Sequence, residues 1–70
     1  MTKDEATREA QRIARALRRN ADAIHFGRVT WETFQVLNEG LWSEAERDPR
    51  VKSMVLALLR DDPNWKEQAS

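Results

Sequence analysis

The longest run of helical periodicity in the chain lies between Thr2 and Gly27. Apolar residues recur there at three- and four-residue steps, which is the spacing of one helix face. Thr2 and Glu5 have the spacing of a capping box, and no glycine or proline follows before Gly27. The pattern predicts a helix over about residues 3–26 with a narrow inward stripe formed by Ala6, Ala10, Ile13, Leu17, Ala21 and Ile24.

A turn between two helices is predicted directly after this stripe. Gly27 stands where a residue without Cβ can adopt the left-handed conformation that ends a helix. Thr30 can then cap a second helix by accepting from the backbone N–H of Thr33. Val29 and Phe34 have the spacing of a hydrophobic staple across that cap. We therefore expect the chain to reverse direction here and form a helical hairpin.

The second helix is predicted over about residues 31–47. Gly40 lies within it, and glycine in a helix interior costs about 1 kcal/mol relative to alanine. The helical phase is the same before and after Gly40, so we expect the helix to be continuous. Val36 points away from the predicted inward face, which consists of Phe34, Leu37, Leu41 and Ala45 with Trp31 and Trp42 at its sides.

A third helix is predicted over about residues 49–60, with Asp48 as its cap and Pro49 at the first helical position. Asp62 and Pro63 repeat this signal and predict a short turn over about residues 63–67, with Trp65 folding back onto the bundle. The inward stripe of the third helix is Val51, Met54, Val55, Leu58 and Leu59. Residues 1–70 are therefore expected to form one all-α domain, a small three-helix bundle built on an antiparallel hairpin.

Charge and composition narrow the classes of function. The 12 basic and 12 acidic side chains cancel, so any attraction to nucleic acid must be local. The chain has no cysteine, which excludes a disulfide framework and a thiolate metal site. It shows no apolar signal segment and no membrane-spanning run, so we expect a cytoplasmic protein without a membrane partner.

The predicted hairpin resembles a known type of sequence. Gly27-x-Val29-Thr30 is followed by Phe34 and then by Leu41-Trp42. Residues 20–42 are in this respect similar to the short bacterial helical hairpins of the SHOCT type, whose pattern runs Gly-x-Ile-Thr-x-x-Glu-Phe and ends in paired leucines. Thr33 stands in place of their usual glutamate. The resemblance implies an interaction module of bacterial or phage type that oligomerises or contacts nucleic acid, and it implies no catalytic residue.

Candidate catalytic chemistry is sparse. His25 is the one histidine, and no carboxylate or second histidine stands three or four residues after it to make a metal site or a general base. Asp22 and Glu32 are ordinary residues for helix ends, and a chain of this size encloses little volume for a paired-carboxylate site. We therefore predict a non-enzymatic protein with no catalytic residue, metal, cofactor or small-molecule substrate.

Two surfaces remain as candidates for function. The first is an arginine ridge on the outer side of the first helix, which could follow a phosphate backbone or could simply be solvated and paired with neighbouring carboxylates such as Glu9. The arginine ridge consists of Arg8, Arg12, Arg15, Arg18 and Arg19. The second is a set of residues that do not all fit one inward stripe, and these are candidates for a protein interface: Val36, Gly40, Trp42 and Leu56.

The leading interpretation is a small helical binding or regulatory module that occupies a surface on another protein, with self-association included. Its size and the hairpin resemblance also suit an accessory protein of a phage or plasmid that blocks a host complex. The alternative is a nucleic-acid-binding protein that uses the arginine ridge. Salt dependence distinguishes the two, because phosphate contacts weaken steeply with ionic strength and an apolar interface does not.

Overall fold

The computed structural model describes residues 2–61. This part of the chain forms three packed α-helices, α1 (Lys3–His25), α2 (Trp31–Glu46) and α3 (Pro49–Arg60), which confirms the predicted all-α fold. The first two helices end one residue earlier than predicted, because Phe26 and Arg47 are C-caps. α2 runs without interruption through Gly40, as its phase predicts. The turn predicted over residues 63–67, and Trp65 with it, lies outside the described residues.

The reversal between α1 and α2 is held by backbone hydrogen bonds. The N–H of Gly27 donates to the carbonyl of Ile24 at 3.2 Å, and the N–H of Arg28 donates to the carbonyl of Ala23 at 2.7 Å. This pair of bonds is the Schellman arrangement, which needs a left-handed residue at its centre. Gly27 has a φ of 70°, so the prediction for this glycine is confirmed.

The caps of α1 and α2 also form as the sequence predicts. Thr2 and Glu5 make a capping box, in which the Thr2 hydroxyl accepts from the backbone N–H of Glu5 at 3.2 Å. At the start of α2 the Thr30 hydroxyl accepts from the backbone N–H of Thr33, also at 3.2 Å. These side chains satisfy amide groups that the first turn of a helix cannot pair.

α3 begins at an aspartate whose protonation should affect stability. The Asp48 carboxylate accepts from the backbone N–H of Arg50 at 2.9 Å and from its guanidinium at 3.1 Å. The side-chain hydrogen bond from Arg50, followed by the backbone one, holds the pKa of Asp48 below its ordinary value. A carboxyl group with a lowered pKa in the folded state stabilises that state above the unfolded pKa of about 4, and the contribution is lost as the pH falls through the folded value.

We therefore expect Asp48→Asn, which keeps a capping side chain but not the charge, to be less stable than the wild type at pH 7. The difference in melting temperature should shrink as the pH is lowered from about 5 to 2, because protonated Asp48 loses the same interactions. Thermal unfolding of both proteins at several pH values measures it. A difference that stays constant down to pH 2 would contradict this role of the carboxylate.

The directions of the helices follow from their side-chain contacts. The guanidinium of Arg12 on α1 bonds the carboxylate of Glu44 on α2 at 2.7 Å, so the C-terminal part of α2 lies beside the N-terminal half of α1. Lys52 of α3 approaches Glu46 of α2 at 3.5 Å. α2 is thus antiparallel to both neighbours.

α3 lies beside only the first half of α1. The hydroxyl of Thr7 contacts the sulfur of Met54 at 3.8 Å, and one turn further along both helices Gln11 and Leu58 line the same cleft. α3 ends two residues after Leu58. Among the described residues, the last three turns of α1, residues 14–25, therefore have only α2 alongside for most of their length.

The core sits at the end of the bundle where all three helices meet. α1 supplies most of it through small side chains, and α2 supplies one fully buried residue, Ala45. The cluster is Ala6, Ala10, Ile13, Ala14, Leu17, Ala45, Val51, Val55 and Leu59, with Leu41, Trp42, Met54 and Leu58 packed against it. Within residues 2–61 no helix combines the length and the apolarity needed to cross a membrane.

Four residues of the predicted inward stripes do not belong to this cluster. Ala21 is buried outside it, Ile24 and Phe34 are only half-buried, and Leu37 belongs to the exposed large hydrophobic residues. All four lie at the hairpin end of the bundle, beyond the last turn of α3. A residue can have the right helical phase and remain accessible where the neighbouring helix is too short to reach it.

Candidate functional site

Among residues 2–61, most of the exposed large hydrophobic side chains lie at the hairpin end. Phe26, Trp31, Val36 and Leu37 have exposed fractions of 65%, 59%, 69% and 45%, and all are found within twelve consecutive positions. The fifth, Leu56, lies on α3 and is 49% exposed. Exposed apolar side chains concentrated in one part of a small protein are typical of a contact surface.

Val36 and Leu37 form one wall of a groove between α2 and α1. We call this the hairpin groove; it has a volume of about 340 Å³ and is lined by Ala16, Asn20, Val36, Leu37, Gly40, Leu41 and Glu44. Two of its lining positions are small, Ala16 on α1 and Gly40 on α2, and they leave space between the two helices. A Cβ added to Gly40 would meet no atom within 4 Å, so the space above it is open.

The groove also has polar groups at its margin. Asn20 lines it from α1, and the buried Nδ2 atom of its amide has no hydrogen-bond partner among residues 2–61. Glu44 closes one end and is held there by Arg12. The surface is therefore mainly apolar, with one charged end.

The four interface candidates from the sequence are not gathered in one place. Val36 and Gly40 line the hairpin groove together, one turn apart on α2. Trp42 is half-buried and packs against the core, and Leu56 lies on a different helix and does not line the groove. Sequence reasoning missed the α1 side of the groove, Ala16 and Asn20. Their only sequence signal is a position on the flank of the α1 stripe, which does not show on which flank α2 packs.

The aromatic side chains near the turn form two separate pairs. Trp31 stacks on Phe34 with ring centroids 5.3 Å apart. Phe26 contacts His25 edge to face at 5.0 Å, and the guanidinium of Arg28 lies 5.6 Å from the centre of the same ring. These contacts give Phe26 and Trp31 partners within the chain despite their exposure.

The arginine ridge is divided by its ion pairs. Arg12 bonds both Glu9 on its own helix and Glu44 on α2. The hydrogen bond from Arg12 lowers the pKa of Glu9, and the bonds from Glu9 and Glu44 raise the pKa of Arg12. The expected pairing with Glu9 is thus present, and the cross-helix partner is an addition that sequence spacing could not reveal. Arg12 consequently ties the two helices of the hairpin together.

Three other arginines of the ridge present an open basic surface. Arg8, Arg15 and Arg19 are exposed and form no ion pair with any residue in the described range. A shallow concavity of about 510 Å³ lies between the side chains and is lined by Arg12, Arg15, Arg18, Arg19 and Asp22. Within residues 2–61 no three His, Cys, Asp or Glu side chains come close enough together to hold a metal ion.

Comparisons of the chain with protein-family models, with curated proteins and with solved structures give no match. The resemblance of residues 20–42 to SHOCT-type hairpins therefore stays a prediction.

Proposed function

We propose that this chain is a small, non-enzymatic helical module that acts by binding another protein through the hairpin groove. The observation that carries the proposal is that Val36 and Leu37 are exposed beside the open floor at Gly40. Val36 is the most exposed large hydrophobic residue among those described. Water contact with these side chains is unfavourable by about 25 cal/mol per Å² of apolar surface, so covering them favours association.

The helical frame suits this role. α2 is fixed by its cap at Thr30, by the Arg12–Glu44 ion pair and by the burial of Ala45. Val36 and Leu37 are therefore presented on a preorganised helix, which reduces the entropy lost when a partner binds. A regulatory protein of this kind works by covering a surface of its partner.

Photo-crosslinking tests the proposal. A benzophenone amino acid at position 36 should give a covalent adduct with another protein chain in the cells that produce this protein, and excess unmodified protein should suppress it. The same group at Gln35, an exposed position that does not line the groove, is the matched control. No adduct at position 36, or equal adducts at both positions, would overturn the proposal.

The open part of the arginine ridge favours nucleic-acid binding as a second candidate function. Arg15 and Arg19 could contact phosphates without giving up an ion pair with a described residue. Affinity would then fall steeply with salt, in proportion to the number of phosphates neutralised.

The nucleic-acid proposal is tested with a variant of the arginine ridge that we expect to keep its fold. Replacing Arg15 and Arg19 by Gln should change the free energy of unfolding by less than about 0.5 kcal/mol per site, because both are exposed. Titration of wild type and variant with a 20-base-pair duplex at 50 and 200 mM salt is the measurement. A salt-dependent affinity that the variant loses would support nucleic-acid binding, and no measurable affinity for the duplex in the wild type would exclude it.

A further inference from the structure

We infer that the occupant of the hairpin groove is a second copy of this chain, docked with its α2 antiparallel to the first. In this arrangement Val36 of each copy fills the space between Ala16 and Gly40 of the other. The inference rests on the proposed function, because it names the partner for the same groove.

The shape of α2 suits a two-fold arrangement. Val36 projects from the helix and Gly40 leaves a gap one turn later, and both line the same groove. A two-fold axis level with position 38 brings residue 36 of one copy opposite residue 40 of the other, and the reverse. Each copy therefore supplies one projection and one gap, which is the self-complementarity that a symmetric dimer requires.

The gap extends to α1. The Arg12–Glu44 contact fixes which positions of the two helices lie level, and in this register Ala16 lies level with Gly40. Their joint presence in the groove lining agrees with this. The valine of the second copy would thus meet two small residues on different helices, which allows a close approach of the helices.

The charges flanking the groove are complementary under the same symmetry. The two-fold axis places Glu39 of one copy opposite Leu37 of the other. In the register of the hairpin Leu37 lies level with Arg19 on the outer flank of α1, so Glu39 of one copy lies level with Arg19 of the other. By the same two steps, Glu32 of one copy lies level with Arg12 of the other. Glu32 and Glu39 are exposed and form no ion pair with a described residue. Opposite charges at the rim of an interface fix its register more than they add to affinity.

The contact is modest in size. Because Val36 and Leu37 are the two exposed large apolar side chains that line the groove, we expect an interface at the low end of the range for specific complexes, about 1,000 Å² in total. We therefore expect a reversible dimer with a dissociation constant of about 1–100 µM. The arrangement covers Arg19, so nucleic acid and the second copy would compete for it.

The variant Gly40→Leu tests the shape argument. A Cβ at this position meets no atom of the single chain within 4 Å, and leucine favours a helix interior over glycine. The melting temperature at low concentration should therefore be unchanged or raised, while the dissociation constant measured by sedimentation increases at least about tenfold. Gln35→Leu, outside the groove, is the control and should dimerise like the wild type. Equal dimerisation by Gly40→Leu would overturn the inference.

Charge reversal tests the register. Glu39→Arg and Arg19→Glu should each raise the dissociation constant about 3- to 10-fold, since each affects two symmetric contacts. The double variant should return to within about twofold of the wild type. A double variant that is weaker than either single variant would show that the two residues do not meet.

The crosslinking experiment separates this inference from the proposed function. An adduct of two copies of this chain at position 36 supports both. If the only adduct contains a different protein and the wild type stays monomeric up to about 1 mM, the inference of a second copy is overturned. The groove then remains a contact surface for another protein. Absence of any adduct overturns both.

Discussion

Replacing Leu17 by alanine is expected to lower the free energy of unfolding by about 2–5 kcal/mol. Leu17 is fully buried, and it is one of four large side chains in the described part of the chain with almost no exposed surface. Much of the surrounding core is alanine, which cannot move to fill the space that the mutation leaves. A bundle of this size rarely has more than about 3–5 kcal/mol of stability, so this loss would be a large part of the total.

The control for this experiment is Leu56→Ala, which removes the same atoms from a side chain that is about half exposed. It should cost less than about 1 kcal/mol. Urea denaturation followed by circular dichroism gives both values. A similar loss in free energy of unfolding for the two variants would contradict the position of Leu17 in the core between α1 and α3.

Alanine substitutions at the two glycines should change stability in opposite directions. Gly27 has a positive φ at the end of α1, where an L-residue costs about 1–2 kcal/mol, so Gly27→Ala should destabilise and Gly27→Val should cost more than 1 kcal/mol. Gly40 is helical with open space around it, so Gly40→Ala should stabilise by up to about 1 kcal/mol.

The two alanine variants carry the same chemical change, so the sign of the effect reports backbone conformation alone. Denaturation at concentrations below about 1 µM keeps association out of the comparison. A stabilising Gly27→Ala would contradict the Schellman turn. A destabilising Gly40→Ala would indicate that α2 is not a regular helix at this position.

Features set by a few neighbouring residues were predictable from sequence. The boundaries of all three helices agree to within one residue, because each depends on a local signal such as the Thr2 capping box, Gly27, Thr30 or the Asp48–Pro49 pair. The inward positions of α3 also follow from its own periodicity, since Val51, Val55 and Leu59 are buried as predicted.

Features set by the relative lengths of the helices were not predictable. Ala14 lies beside the α1 stripe and is nevertheless buried in the core cluster. Leu37 follows the α2 stripe yet is exposed, because α3 ends before its level. Periodicity describes each helix separately and does not say how far a neighbour extends.

Some residues of the candidate site were likewise predictable from one helix alone, and others were not. The phase of α2 places Val36 and Gly40 away from the core, and the structure agrees. Ala16 and Asn20 join them only through the register of the hairpin, which the long-range Arg12–Glu44 pair reveals. Trp42 is the opposite case, because a position at the margin of the inward face became part of the packing around the core.

The central claim is that the hairpin groove is a contact surface between two copies of this chain. NMR spectra of the backbone amides recorded from about 10 µM to 1 mM test it most directly, because each residue reports separately. We expect concentration-dependent shifts at Ala16, Asn20, Val36, Leu37 and Gly40. The cleft between α1 and α3 around Thr7 and Met54 should remain unchanged. Spectra that do not change over this range, or changes confined to the α1–α3 cleft, would contradict the claim.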